Sequence, residues 1–304
     1  MAAFVLLHGF AQTPASWDEV TRRLQAAGHR TYVPDLYRRS DSSLEQLCAY
    51  IAEVVWKVAQ ADGAPVLVGY SMGGRIAAET VMRYGWRASA QPPEILRLAS
   101  LAQDDTRGAC AQGAMLLPCH PERSAQRGVE GSSDEPFPLA GLVLESAGLG
   151  PADEAARAAL AERNGEWTQR LRREGVAAFM DWWETLPLFA TQQSLPPEVR
   201  AAVRAERTSH DAEPLARSLE AWGAHHQATE EATLVALAGL ANRDIPVRYL
   251  AGARDEKYAA VAARARAAGL PAVLVPDVGH NVHLEASSAF AGIVEDVFVE
   301  GASA

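Results

Sequence analysis

Short apolar runs rich in valine and leucine recur along this chain, separated by stretches of helical periodicity, and that alternation constrains its fold more than any other feature. The runs fall at 4–7, 31–34, 66–68, 141–144, 247–250 and 272–275. Strands with apolar residues on both sides are buried on both faces, the mark of a mostly parallel sheet flanked by helices in an α/β protein. Between them, Ser16-Trp17-Asp18-Glu19 predicts a capped helix start, 44–59 an amphipathic helix and 288–299 a closing helix.

Two segments break the rhythm. From 151 to 237 there is no strand pattern, only alanine-, arginine- and tryptophan-rich helical stretches interrupted by Gly175, Pro187 and Pro196-Pro197, which predicts a helical lid inserted between core strands. From 91 to 138 the chain turns rich in proline, glycine, serine and charge, an unusually long connection that reads as an inserted surface loop or a partner-binding segment. The expected organisation is a core in two parts, 1–150 and 238–304, with the lid at 151–237.

With 304 residues, 48% of them hydrophobic, the chain is long enough for one large α/β core or two modest domains. Its net charge of −10 disfavours nucleic acid and anionic membranes as partners, so an anionic ligand would need a local basic pocket. No apolar stretch approaches a membrane span. The opening MAAFVLLHGF has no basic residues before its apolar run and leads into a His-Gly turn, so it reads as a first core strand of a cytoplasmic protein. Cys48, Cys110 and Cys119 are scattered, which argues against a disulfide framework, and no cluster has metal-ligand spacing. No metal or organic cofactor is expected, and the protein is expected to be a monomer or small homo-oligomer.

The chemistry centres on Gly69-Tyr70-Ser71-Met72-Gly73, a G-x-S-x-G pattern between an apolar strand and the helical pattern that begins at Arg75 and should end near Gly85. One reading is a glycine-rich strand-to-helix turn. The other is a strained turn that lifts the Ser71 hydroxyl above the sheet, with flanking glycines allowing strand and helix to approach. A serine nucleophile needs an imidazole to take its proton and a carboxylate to fix the imidazole tautomer. Asp255 follows the run at 247–250 and His280 follows the run at 272–275, which gives the order serine, acid, histidine with all three at strand ends. Glu256 and His283 are the rivals at those positions. The backbone N–H groups of Phe10 and Met72 would form an oxyanion hole. His8 reads as a buried structural histidine in its turn.

Together LLHGF, GYSMGGR, GLVLESAGLG, WWETLPLFA, AGARDEKY and GHNVHLE resemble the menaquinone-pathway branch of the α/β-hydrolase family, the 2-succinyl-6-hydroxy-2,4-cyclohexadiene-1-carboxylate synthases. The likeness runs from Phe4 to the C-terminal helix and omits 91–138. It implies an α/β-hydrolase fold and a carbon–oxygen lyase that eliminates pyruvate from 2-succinyl-5-enolpyruvyl-6-hydroxy-3-cyclohexene-1-carboxylate. In that reaction the serine, activated by histidine, takes a proton from carbon. The substrate is a small polycarboxylate, for which guanidinium forks are apt partners. The resemblance maps Arg75, Arg207 and one of Arg157 and Arg163 onto the family's arginines, and Trp183 and Phe189 onto its lid aromatics. Tyr70 would border the pocket. Each has a bland alternative: a solvated charge for the arginines, lid core for the aromatics, and packing around the acid for Lys257 and Tyr258. The same residues would also suit a carboxylesterase, thioesterase or carbon–carbon bond hydrolase with nucleophilic Ser71, or a noncatalytic binding protein of the same fold. Three departures stand out. The usual leading hairpin is absent, so one sheet edge should be shorter. PDLYRRSDSS replaces a Pro-Gly-His-Gly turn, with Arg38 and Arg39 candidates for the mouth. The third is the 91–138 insertion.

Overall fold

The computed structural model of the protein describes residues 1–85 and 137–302. The expected loop at 91–138 thus lies outside the described residues except for its last two, as do Cys110 and Cys119. Six strands form one sheet: β1 (Ala3–Leu7), β2 (Arg30–Tyr32), β3 (Val66–Tyr70), β4 (Gly141–Glu145), β5 (Val247–Gly252) and β6 (Ala272–Val275). Their order is β2-β1-β3-β4-β5-β6, and every pairing is parallel. All six apolar runs are strands, with ends that differ by at most two residues.

Side-chain alternation explains why the runs are apolar throughout. Val5, Leu7, Leu67, Leu142, Leu144 and Tyr249 enter one core layer, whereas Phe4, Leu6, Val66, Val68, Val143 and Leu250 enter the layer on the opposite face. The first layer is covered by α2 (Leu44–Asp62), α3 (Met72–Tyr84) and α8 (Glu256–Ala267), the second by α1 (Asp18–Ala26) and α10 (Ser287–Ala302). Helix α2 starts at a capping box between Ser43 and Gln46. Helix α1 does not start as expected. A 3-10 turn at Pro14–Trp17, capped by the Thr13 side chain, precedes it, and the Ser16 hydroxyl donates back to the Thr13 carbonyl instead of capping.

Between β4 and β5 the described chain is helical: α4 (Glu154–Trp183), a 3-10 stretch (Pro187–Ser194), α5 (Pro197–Thr208), α6 (Ala212–Ala221) and α7 (Glu230–Ala241). Gly175 kinks α4 with φ 78°. This insertion has its own core of Leu171, Phe179, Met180, Trp183, Phe189, Leu215 and Leu219, joined by Ala11. Among the described residues no helix is long and apolar enough to cross a membrane.

The strand order reverses between β1 and β3, and in open parallel sheets ligands bind beyond the carboxyl ends at such a switch point. There α3 comes unusually close to the sheet. A Cβ on Gly73 would stand 2.2 Å from the Leu7 carbonyl oxygen, and one on Gly69 would stand 2.5 Å from the Gly73 backbone. Backbone cannot yield as a flexible side chain can, so Gly73→Ala should cost about 3 kcal/mol, the upper end for overpacking. Gly165→Ala, in α4 with open space around it, should instead stabilise by about 0.5–1 kcal/mol. Urea unfolding of the two variants checks both signs.

Candidate active site

Ser71 joins β3 to α3 with φ 49° and ψ −104°, in the left-handed half of backbone space where a side chain is strained. The turn aims its hydroxyl at His280: Oγ lies 3.2 Å from Nε2. On the far side, His280 Nδ1 lies 2.7 Å from Asp255 Oδ2. A carboxylate only accepts, so Nδ1 carries the proton and Nε2 is free to accept from the serine. Asp255 follows β5 and His280 follows β6, so strand ends bring together side chains 209 and 25 residues apart in the chain. The Asp255 Oδ1 accepts from the Tyr258 backbone N–H, and the Tyr258 ring lies 4.7 Å from the imidazole. Glu256 and Lys257 are exposed, and the Lys257 ammonium lies over the Tyr258 ring. Asp255 and His280 are nearly sealed from solvent.

His283 is not placed to serve Ser71. Its Nδ1 lies 2.7 Å from Glu145 Oε2, and its ring stacks on Trp17 at 4.0 Å. His8 is buried, with its Nδ1 on the Gly9 carbonyl and its Nε2 accepting from Leu36 N–H, a fully engaged structural group. Met72 opens α3, whose first turn carries no acid, so its N-terminal dipole is unopposed. Phe10 follows the His8 turn, and its ring packs against Phe179 and Trp183. The Tyr70 ring lies 5.2 Å from His280 and 4.8 Å from His283, and burial pushes its phenol well above the ordinary range.

Above these groups sits an aromatic cluster from the insertion. Trp183 and Phe189 are 4.3 Å apart, and Phe189 is 6.1 Å from His280. The Arg207 guanidinium lies over both rings and bonds Glu184 and Gln192. Arg207 Nε and Gln192 Nε2 are buried without acceptors among the described residues. Both residues, with Phe189, Arg200 and Arg204, line a cavity of about 320 Å³.

A second basic group faces the other side of the elbow. Arg75 donates to the Trp222 carbonyl, and burial pulls its pKa down to about 10, so it stays charged at neutral pH. Arg163 donates to the Asn164 amide oxygen, lies over Trp167 and leaves its Nε unpartnered among the described residues. Arg157, its rival, turns its guanidinium onto the carbonyls of His225 and Gln227, where it ties α4 to the loop after α6. Arg38 is exposed beside Asp35, and Arg39 lies over Tyr50. From the same turn it is Tyr37 that reaches inward. Its hydroxyl accepts from Ala11 N–H and its ring stacks on His8. Sequence reasoning missed Tyr37, Gln192 and Glu145; the last was visible as a lone acid closing an apolar strand.

A concentration of positive potential is legible in His225, whose pKa is pulled down to about 4 by burial and by His226, Arg75, Arg157 and Arg163. The unfolded chain therefore binds a proton here between about pH 6.5 and 4 that the folded protein does not, and stability falls as pH drops through that window. His225→Gln should lose less of its thermal midpoint than the parent protein between pH 6.5 and 4.5; equal losses would contradict the assignment.

The family model for the alpha/beta hydrolase family matches residues 4–293. A Bacillus subtilis (strain 168) protein provisionally named a 2-succinyl-6-hydroxy-2,4-cyclohexadiene-1-carboxylate synthase is 26% identical over a 305-residue alignment covering 97% of this chain and 89% of that protein. The Citrobacter koseri synthase of that name is 36% identical over 158 residues, 52% of this chain and 56% of the enzyme. Among solved structures, MenH from S. aureus superposes with a TM-score of 0.70 at 20% identity, covering 99% of this chain and 94% of that one.

Proposed function

The chain belongs to the alpha/beta hydrolase family, and we propose that it is a carbon–oxygen lyase that eliminates pyruvate from 2-succinyl-5-enolpyruvyl-6-hydroxy-3-cyclohexene-1-carboxylate. The observation that carries this reading is a Ser71-His280-Asp255 line flanked by buried Arg207 and half-buried Arg75 and Arg163, an unusual density of cations withdrawn from water for a site that handles a neutral acyl group. The names of the matched relatives support it.

The substrate carries three carboxylates, on the ring, on the succinyl arm and on the enolpyruvyl group. Arg75, Arg163 and Arg207 offer three guanidinium groups to receive them, and pairing each with an anion recovers part of what burial costs an isolated charge. Ring carbon 2 bears a proton acidified by the succinyl ketone. Ser71, its own proton drawn toward His280 Nε2, removes it, and the negative charge collects on the ketone oxygen. That oxygen would lie between the N–H groups of Phe10 and Met72 at the head of α3. The electrons then form a double bond between carbons 2 and 3, the old double bond shifts to carbons 4 and 5, and the bond from carbon 5 to oxygen breaks. Enolpyruvate leaves and takes up a proton to become pyruvate. No acyl-enzyme forms, and Asp255 holds the imidazole tautomer throughout. The insertion, with Trp183, Phe189 and Arg207, acts as a lid over the ring.

Purified protein should release pyruvate from this substrate. Ser71→Ala should lower kcat by about 10³-fold or more. Arg75→Ala should raise KM by about 10- to 100-fold, the worth of one charge-assisted bond to a carboxylate. Cleavage of a short-chain aryl ester without pyruvate release would replace the lyase with a hydrolase that uses Ser71 as a nucleophile.

A further inference from the structure

Glu145 closes β4, opposite Tyr70 in the sheet register, and is completely buried at the end of a strand whose other side chains are apolar. A carboxylate in such a place costs several kcal/mol unless donors satisfy it, so its partners show what it is there to hold. Its main-chain oxygen accepts the Ser71 N–H at 2.8 Å, extending the ladder one residue past β3 into the strained turn. Its side chain reaches across to α9 (Val282–Glu285). There Oε1 accepts the His283 backbone N–H at 3.0 Å and Oε2 pairs with His283 Nδ1 at 2.7 Å. The His283 ring is fixed by its stack on Trp17 and by edge contacts with Tyr70 and Phe290, 4.8 and 5.8 Å away.

We infer that Glu145 and His283 form a positioning clamp that sets the distance between Ser71 and His280. One residue grips both sides of that contact, the reactive serine through its backbone and the histidine loop through its carboxylate. The path from Glu145 through His283 back to His280 spans three residues of tightly bonded chain, with Asn281 capping α9 through Leu284 N–H. On the other flank Glu285 holds Gly279 N–H at 2.9 Å. The His280 imidazole is thereby anchored before and after, and the 3.2 Å contact to Ser71 Oγ closes the ring. Glu145 and His283 touch no reacting atom. They act through Ser71 and His280, and a slip of about 1 Å in such a contact costs on the order of 10²-fold in rate.

This inference rests on the reading of Ser71 as the reactive group but not on the identity of the substrate, so the test uses a probe indifferent to the latter. A small fluorophosphonate forms a bond between Ser71 Oγ and phosphorus as fluoride leaves and the hydroxyl proton passes to His280. The second-order labelling rate, followed by intact mass, therefore reports the Ser71–His280 geometry. Glu145→Gln presents one acceptor and one donor where two donors converge, and His283→Leu removes the side-chain donor; each should slow labelling about 10- to 100-fold. His283→Asn puts an amide N–H where Nδ1–H stood and should label within about threefold of the parent. Circular dichroism and thermal midpoints establish that each variant is folded at the assay temperature. The two His283 variants leave β4 untouched and carry the test should Glu145→Gln fail to fold. A pair that serves only stability would lower the midpoint in the leucine and asparagine variants alike and leave the labelling rate of folded protein unchanged, which would overturn the clamp. A parent protein that does not label at Ser71 would fail the reading of Ser71 as the reactive group, and the clamp with it.

Discussion

Ser71 holds a backbone conformation that L-residues adopt only when their surroundings leave no alternative. The surroundings here are contacts at backbone distance: the first turn of α3 lies on the ends of β1 and β3, with room for hydrogen and nothing larger at Gly73. The Glu145 carbonyl then fixes the Ser71 N–H from the neighbouring strand. Strain at one residue is thus held by a sheet with two apolar faces, and the hydroxyl it raises meets the loops after β5 and β6. The same turn points the head of α3 at the crevice where the strand order reverses.

Charge is distributed in the opposite sense to the whole chain. The protein carries a net −10, yet Arg207 lies over the aromatic cluster beside His280, and Arg75 and Arg163 act together on His225, which is held neutral. Arg75 and Arg163 bond neutral oxygens, whereas Arg207 shares a carboxylate. Withdrawing guanidinium groups from water without carboxylate partners is costly, and under the proposed function the carboxylates of the substrate supply the compensation. The aromatic cluster of Phe10, Trp183 and Phe189 lies under Arg207 and links the insertion to His280.

Much of this was legible in the sequence because buried parallel strands must be apolar on both faces. That rule located all six strands, and strand ends nominated Ser71, Asp255 and His280, which the fold joins by hydrogen bonds. Choices that depend on tertiary neighbours were not legible. His280 and His283 share one short segment, and only the arrival of Glu145 from another strand separates them. Arg157 and Arg163 lie on one helix, and the carbonyls of the loop after α6 decide which is tied down. The turn after β2 drew attention to its arginines, whereas the group that reaches inward is Tyr37, since an aromatic can bury its ring where a guanidinium would need partners. Ser16 failed as a cap because a 3-10 turn capped by Thr13 precedes α1 and the Ser16 hydroxyl is spent on the Thr13 carbonyl.

The proposed chemistry turns on Ser71 removing a proton from carbon. A single-turnover comparison of pyruvate release from the substrate with hydrogen or deuterium at ring carbon 2, with the protein mass followed in parallel, tests it most directly. Proton removal from carbon by Ser71 should give a clear primary isotope effect and a protein mass that never changes. A release rate indifferent to deuterium, accompanied by an acylated Ser71, would contradict it.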